Sequence, residues 1–174
     1  MVTAYVVLVL AVGGERLVEL VVAKRNLAWA LARGGVETGF GHYPVMVVLH
    51  TALLVGALVE VLALDRPFVP ALGVVMAVLV LAAQGLRGWC IRTLGPQWNT
   101  RVVVVPGLAL VGGGPYRWLR HPNYVAVVVE GFALPLVYSA WLTALVFTLA
   151  NAALLTLRIR TEARALDSVA LARA

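Results

Sequence analysis

The chain has 174 residues, 62% of them hydrophobic and 13% charged, with a net charge of +6. A soluble domain is about 45–50% apolar and about 25% charged, so a water-soluble globular fold is excluded for want of a polar surface. The basic residues are spread between apolar runs and form no continuous stripe, which argues against a nucleic-acid partner and makes them markers of the cytoplasmic side of a membrane protein.

A helix crossing a hydrocarbon core of roughly 30 Å needs about 20 mostly apolar residues. The first such run is Val2 to Ala23, with no basic residue before it, which fits a retained span better than a cleaved leader. The second is Tyr43 to Leu64, ended by Asp65-Arg66-Pro67. The third, Val69 to about Leu86, continues as a helix to Leu94. Val102 to Val111 is too short and too broken by Pro106-Gly107 and Gly112-Gly113-Gly114-Pro115 to span, and reads as an ordered loop or hairpin at the membrane face. Asn123 to Val137 and Ala140 to Leu157 form the fourth and fifth spans, an antiparallel hairpin around Tyr138-Ser139. From Arg158 onward the sequence predicts a short polar helical tail.

Basic residues alternate between strong and weak connections. The first holds Lys24, Arg25 and Arg33, and the second only Arg66, balanced by Asp65. The third holds Arg87, Arg92, Arg101, Arg117 and Arg120, the fourth none, and the tail Arg158, Arg160, Arg164 and Arg173. The expectation is an all-α integral membrane protein of five spans, with the N-terminus outside and the C-terminus cytoplasmic. Residues 1–83 form a scaffold of three helices that gives the acceptor access, and residues 84–174 the working region. Its composition fits the inner membrane of a bacterium. The single cysteine, Cys90, excludes an intramolecular disulfide. Gly-rich spans pack within or between chains, so the sequence leaves the oligomeric state open.

Three polar groups lie in or beside spans, where ionisable residues are costly and mark function. Glu15, Arg16 and Glu19 share one helix face and form a structural ion pair that Lys24 or Arg25 would complete. His50 and Glu60 lie near opposite ends of one span, and no pair of histidines has metal-ligand spacing; His50 reads as a satisfied polar contact of the core. The third group is dense: Tyr116, Arg117, Arg120, His121, Asn123 and Tyr124 crowd into nine residues before a span. Pro122 sits at a natural first-turn position, and the helix N-terminus it opens favours an anionic group. Asn151, Arg158 and Glu162, at spacings of seven and four, share a helix face. The hairpin returns Arg158 and Glu162 to the side of His121 and Tyr124. Such a convergence suits either a ligand site or a basic-aromatic anchor at the headgroup level.

The order of these residues resembles the isoprenylcysteine carboxyl methyltransferase family, especially a bacterial branch that includes alkylpyrone and alkylresorcinol O-methyltransferases. The matching pieces are LGPQWNTRV (Leu94 to Val102), LALVGGGPYRWLRHPNY (Leu108 to Tyr124) and RIRTEARAL (Arg158 to Leu166). The resemblance implies a methyltransferase that uses S-adenosylmethionine. It implies that Leu108, Ala109, Leu110 and Val111 line the cofactor through backbone groups. Tyr116, His121, Pro122, Asn123 and Tyr124 would hold its adenosyl and methionine parts, Glu162 would contact it, and Arg158 would bind the methyl acceptor and act in catalysis. The acceptor would be a lipophilic carboxylate or hydroxyl compound, isoprenoid or polyketide-derived, entering from the bilayer with membrane lipids around it. No metal is implied. Two departures stand out: Leu108 replaces a histidine of the eukaryotic members, and Ala163 replaces a second acidic residue after Glu162. Membrane sterol reductases carry a segment similar to RHPNY, which makes an NADPH-dependent reductase the competing enzyme; a non-catalytic membrane protein is the third reading.

Overall fold

The structure is a computed structural model. It describes residues 1–39 and 41–171, with side chains to residue 165. Arg173, counted above in the tail, lies outside the described residues. Five α-helices dominate: α1 (Val2–Leu31), α2 (His42–Ala63), α3 (Pro70–Leu94), α4 (Pro122–Leu136) and α5 (Trp141–Leu171). Three of them, α2, α3 and α5, are long and apolar enough to cross a membrane. α1, with 30 residues, is long enough but carries Glu15, Arg16 and Glu19. α4, with 15 residues, extends about 22 Å at 1.5 Å per residue, short of the full hydrocarbon thickness.

Two helices run further than the sequence predicts. α1 continues to Leu31, so Lys24 and Arg25 lie within it and not in the connection. Ala, Leu, Lys and Arg are good helix formers, and the first breakers are Gly34 and Gly35. α5 likewise runs unbroken from Trp141 through the expected tail to Leu171. A short antiparallel pairing was not foreseen: β1 (Val36–Thr38), between α1 and α2, pairs with β2 (Val102–Val104), with Glu37 opposite Val103. Its valines suit a pleated surface, and the pairing fastens the first connection to the loop after α3.

The apolar core lies at one end of the bundle, where Tyr5, Val61, Leu134, Val137 and Tyr138 pack together. Tyr138 stacks obliquely between Tyr5 and Phe68, with ring centroids at 5.5 and 5.3 Å. The hairpin turns sharply here, with Ser139 at φ 56°. Glu60 closes the end. Its carboxylate accepts from the backbone N–H of Leu142 (3.1 Å) and Thr143 (2.7 Å), from the Thr143 hydroxyl (2.7 Å), and from Arg66 Nε (3.0 Å). A carboxylate on the free amides of a helix N-terminus is a cap, here supplied from another helix. Arg66 thus takes Glu60 as its contact partner. Gly131 permits the close approach of α4 to α5: a Cβ there would run into the Phe147 ring.

The ion pair of α1 is also completed differently. Arg16 donates to Glu19 (2.7 Å) and to Glu130 of α4 (3.4 Å), and Arg87 of α3 donates to Glu130 (2.9 Å). Lys24 and Arg25 take no part in these contacts. Arg87, expected in a connection, is 5% exposed, and Glu130 is 3% exposed. Two arginines and two carboxylates from three helices answer one another inside the bundle, as buried charges require. His50 is satisfied as expected, its Nδ1 lying 2.8 Å from the Met46 carbonyl and its ring edge-on to Phe147.

Candidate functional site

At the opposite end from the core, α4 begins. His121 precedes Pro122, whose fixed φ and missing N–H suit the first helical position. Before it, Gly114–Arg117 forms a 3-10 turn. Gly114 has φ 54°, and a Cβ there would strike the Thr93 side chain, so only glycine lets the turn lie this close on α3. Trp118 meets Trp89 edge to face at 5.8 Å and holds the turn to α3.

α5 returns to this end carrying Arg158 and Glu162, one turn apart. The Tyr124 hydroxyl donates to Glu162 Oε2 at 2.8 Å and accepts from Arg158 Nε at 3.1 Å. The His121 ring stacks on Tyr124 with centroids 5.2 Å apart and planes at 17°, and its Nδ1 lies 3.9 Å from Glu162. Arg158 is buried, its Nη2 donating to the Thr100 carbonyl at 2.5 Å and its Nη1 facing the Met46 sulfur at 2.6 Å. A thioether is a weak acceptor. Nη1 is thus the part of the guanidinium left for a stronger partner.

These residues face a cavity of about 820 Å³, within the span of about 300–1,000 Å³ typical of small-molecule sites. Of the residues singled out from the sequence, Leu108, Leu110, Val111, Tyr116, His121, Asn123, Tyr124, Arg158 and Glu162 line it. Ala109 and Pro122 do not; Pro122 is fully buried and shapes the helix start. Asn151 is buried on α5 but lies away from the cavity. Ala163 does line it, so the missing acidic group leaves an apolar patch beside Ile159. Burial, then the neighbouring Cys90, holds the Tyr116 phenol above its ordinary pKa, so it remains neutral.

Several lining residues escaped the sequence reading. Trp29 and Ala30 come from the unforeseen extension of α1, and Val102 to Val105 from β2 and the residue after it. Arg101 also lines the cavity, fixed by an ion pair to Glu37 at 2.8 Å and lying over the Tyr43 ring at 4.3 Å. Asn26 of α1 donates to the carbonyls of Trp98 (2.7 Å) and Gly95 (3.2 Å), which sets the loop after α3. No local pattern signals these contacts, which join residues far apart in the chain.

The family model for isoprenylcysteine carboxyl methyltransferase (ICMT) matches residues 75–168, more than half of the chain and every element from α3 to α5. The chain belongs to the ICMT family. The chain is also 39% identical over 154 residues to the uncharacterized protein YpbQ of Bacillus subtilis (strain 168), covering 88% of this chain and 90% of that one. No solved structure matches. The ICMT match covers the whole Tyr124–Arg158–Glu162 cluster but leaves α1, β1 and α2 outside it. ICMT membership makes this a membrane methyltransferase in broad class, and ICMT family members use S-adenosylmethionine as methyl donor.

Proposed function

We propose that this protein binds S-adenosylmethionine in the 820 Å³ cavity and methylates an oxygen, carboxylate or hydroxyl, of a lipophilic acceptor. The observation that carries this reading is the Glu162–Tyr124–Arg158 chain lining a cavity that both polar and apolar side chains enclose. The donor set fits the cofactor. Asn123 lines the cavity, and its Oδ1 is buried without a hydrogen-bond partner among the described residues, so a small side-chain rotation would offer it to an amino group. The Glu162 carboxylate suits the positive charge of a sulfonium or ammonium group. The cofactor when bound supplies an electrophilic methyl group.

The chain's own residues then have to align and enclose. Tyr124 and His121 offer a stacked aromatic face, and Glu162 and Asn123 offer acceptors at fixed positions. Arg158 Nη1, released from the Met46 sulfur, pairs with the acceptor oxygen and orients it, since guanidinium stays charged and donates in a fork. Val103, Val105, Ile159 and Ala163 give the apolar part of the acceptor a wall. Such alignment can supply roughly 7–11 kcal/mol of a methyl-transfer barrier. A hydroxyl acceptor additionally needs its proton removed, whereas a carboxylate arrives ionised. The reading places the N-terminus outside and the cavity on the cytoplasmic side of a bacterial inner membrane, with the acceptor entering from the bilayer.

Calorimetric titration of the purified protein in detergent tests this reading. S-adenosylmethionine binds, NADPH does not, and Tyr124→Ala or Glu162→Ala abolishes the heat. A protein that takes up NADPH in preference, or whose affinity for S-adenosylmethionine is untouched by both substitutions, overturns it.

A further inference from the structure

The outside of the cavity end is strongly basic, and methyl transfer leaves most of that charge unused. Between Arg66 and Glu130 the sequence holds five arginines and no acidic residue. Two of them, Arg87 and Arg101, meet carboxylates of other segments. The side chains of Arg92, Arg117 and Arg120 are exposed and have no hydrogen-bond or ion-pair partner among the described residues. Arg120 borders the cavity, whereas Arg92 and Arg117 do not.

The exposed faces of the helices fix the level of these bases. On α3 the exposed face runs through Val74, Val78, Leu81 and Trp89 and ends at Arg92. On α1 it runs through Leu10, Leu17 and Val21 and ends at Lys24, and on α5 through Leu145, Leu149 and Leu157 to Arg160. All three helices end these faces toward the cavity, which Trp29, Leu94 and Ile159 line. Apolar faces that stop at a base on three helices mark the boundary between hydrocarbon and headgroups, where tryptophan also collects. Trp89, 45% exposed, closes the apolar face of α3, and Trp118, 68% exposed, lies edge to face on it at 5.8 Å. Arg92 follows Trp89 by three residues and so shares its side of the helix. Arg117 directly precedes Trp118 in the turn that Gly114 lets lie on α3.

An arginine at this level without a carboxylate is matched by a phosphate, to which its guanidinium donates in a fork. A zwitterionic headgroup brings an ammonium too, and the acid-free segment has nothing to receive it. An acidic protein would match the charge, but the two indoles continue a lipid-facing surface. We propose that Arg92, Arg117 and the Trp89–Trp118 pair form a binding site for the headgroup phosphate of an anionic phospholipid. The arginines donate to the phosphate, and the indoles lie along the upper part of the acyl chains. This site is separate from the methyl-transfer cavity and does not depend on that reading.

The test uses the full chain in nanodiscs of phosphatidylcholine. One series adds phosphatidylglycerol brominated on its acyl chain close to the headgroup, and a parallel series adds phosphatidylcholine brominated in the same way. Quenching of tryptophan fluorescence reads the approach of each lipid. At equal mole fraction the anionic lipid quenches more strongly, and Trp89→Phe combined with Trp118→Phe removes the difference. Arg92→Gln and Arg117→Gln each lower the preference roughly fivefold, the attraction of one base to an anionic surface. Melting temperature holds, since both side chains are exposed and unpartnered among the described residues. Lys24→Gln, which removes a base from α1, leaves the preference unchanged. Equal quenching by the two lipids, or a preference that survives both arginine substitutions, overturns the proposal. A fall as large with Lys24→Gln also overturns it, since the attraction is then diffuse. So does an absence of quenching by either lipid, as when an acidic protein covers the indoles.

Discussion

At one end of the helices, Tyr5, Val61, Leu134 and Tyr138 close on one another, and every described oxygen of Glu60 is occupied. At the other, the same helices diverge around a cavity, and Arg158 Nη1, Asn123 Oδ1 and the rim of Glu162 are underused. The contrast teaches where each kind of residue works. A saturated carboxylate such as Glu60 holds a helix in place. Glu162, with one phenol and a distant imidazole, has capacity left for a ligand. The count of partners, and not the residue type, separates the structural acid from the candidate binding acid.

Substitutions at each end test that division. The largest expected effect is at the closed end: Gly131→Val drives a side chain into Phe147 and overpacks the α4–α5 contact. Overpacking costs about 1–3 kcal/mol and sometimes more, so thermal unfolding in detergent shows a steep drop in melting temperature. Glu60→Ala comes next, stripping two backbone amides, the Thr143 hydroxyl and Arg66 of their acceptor, at about 1–2 kcal/mol by the cost of a lost cap. Melting temperature falls, while the affinity of whatever S-adenosylmethionine the protein binds stays within a factor of about two. Glu162→Ala reverses the pattern: melting temperature without ligand changes little, and the stabilisation by saturating S-adenosylmethionine, about 2.7 kcal/mol at a hundredfold excess over Kd, disappears.

Smaller effects sharpen the comparison. Arg101→Ala removes a part-buried ion pair to Glu37 worth about 0.2–1 kcal/mol, read as a correspondingly small fall in melting temperature with a modest loss of cofactor affinity. The smallest concerns pH. Because burial and Cys90 hold the Tyr116 phenol above its ordinary value, it does not ionise where a free tyrosine begins to, near pH 10. Ligand affinity measured from about pH 8 to about pH 10 carries no step from Tyr116. A step that Tyr116→Phe abolishes contradicts this.

Much of the open end was legible in the sequence. The two-residue turn between apolar runs forces α4 and α5 antiparallel, so the four-residue spacing of Arg158 and Glu162 brings both back to Tyr124, as the hydrogen bonds show. The limits of α2, α3 and α4 fell within a residue or so of those expected, because Pro70, Leu94-Gly95-Pro96 and Pro122 punctuate them. The rest depends on distance along the chain. Arg87 and Glu130 pair across 43 residues, and nothing local distinguishes Arg87 from its exposed neighbour Arg92. An acid eight residues inside a span was itself a signal at Glu130, and it was overlooked. β1 and β2, three residues each, are too short for alternation to show. Glu60 was legible only as a polar residue at one end of its span; besides Arg66, six residues on, the groups it holds are more than 80 residues away at the start of α5.

The unbroken course of α5 has a mechanical corollary. From Thr143, seated on Glu60, to Glu162, at Tyr124, the helix advances 19 residues with no break, or about 28 Å. It behaves as a rigid axle whose angular setting is fixed at one hub and read at the other. Deleting a single residue between positions 144 and 157 turns everything beyond by about 100°. Arg158 and Glu162 would then swing off Tyr124 together, although neither they nor their surroundings had been altered.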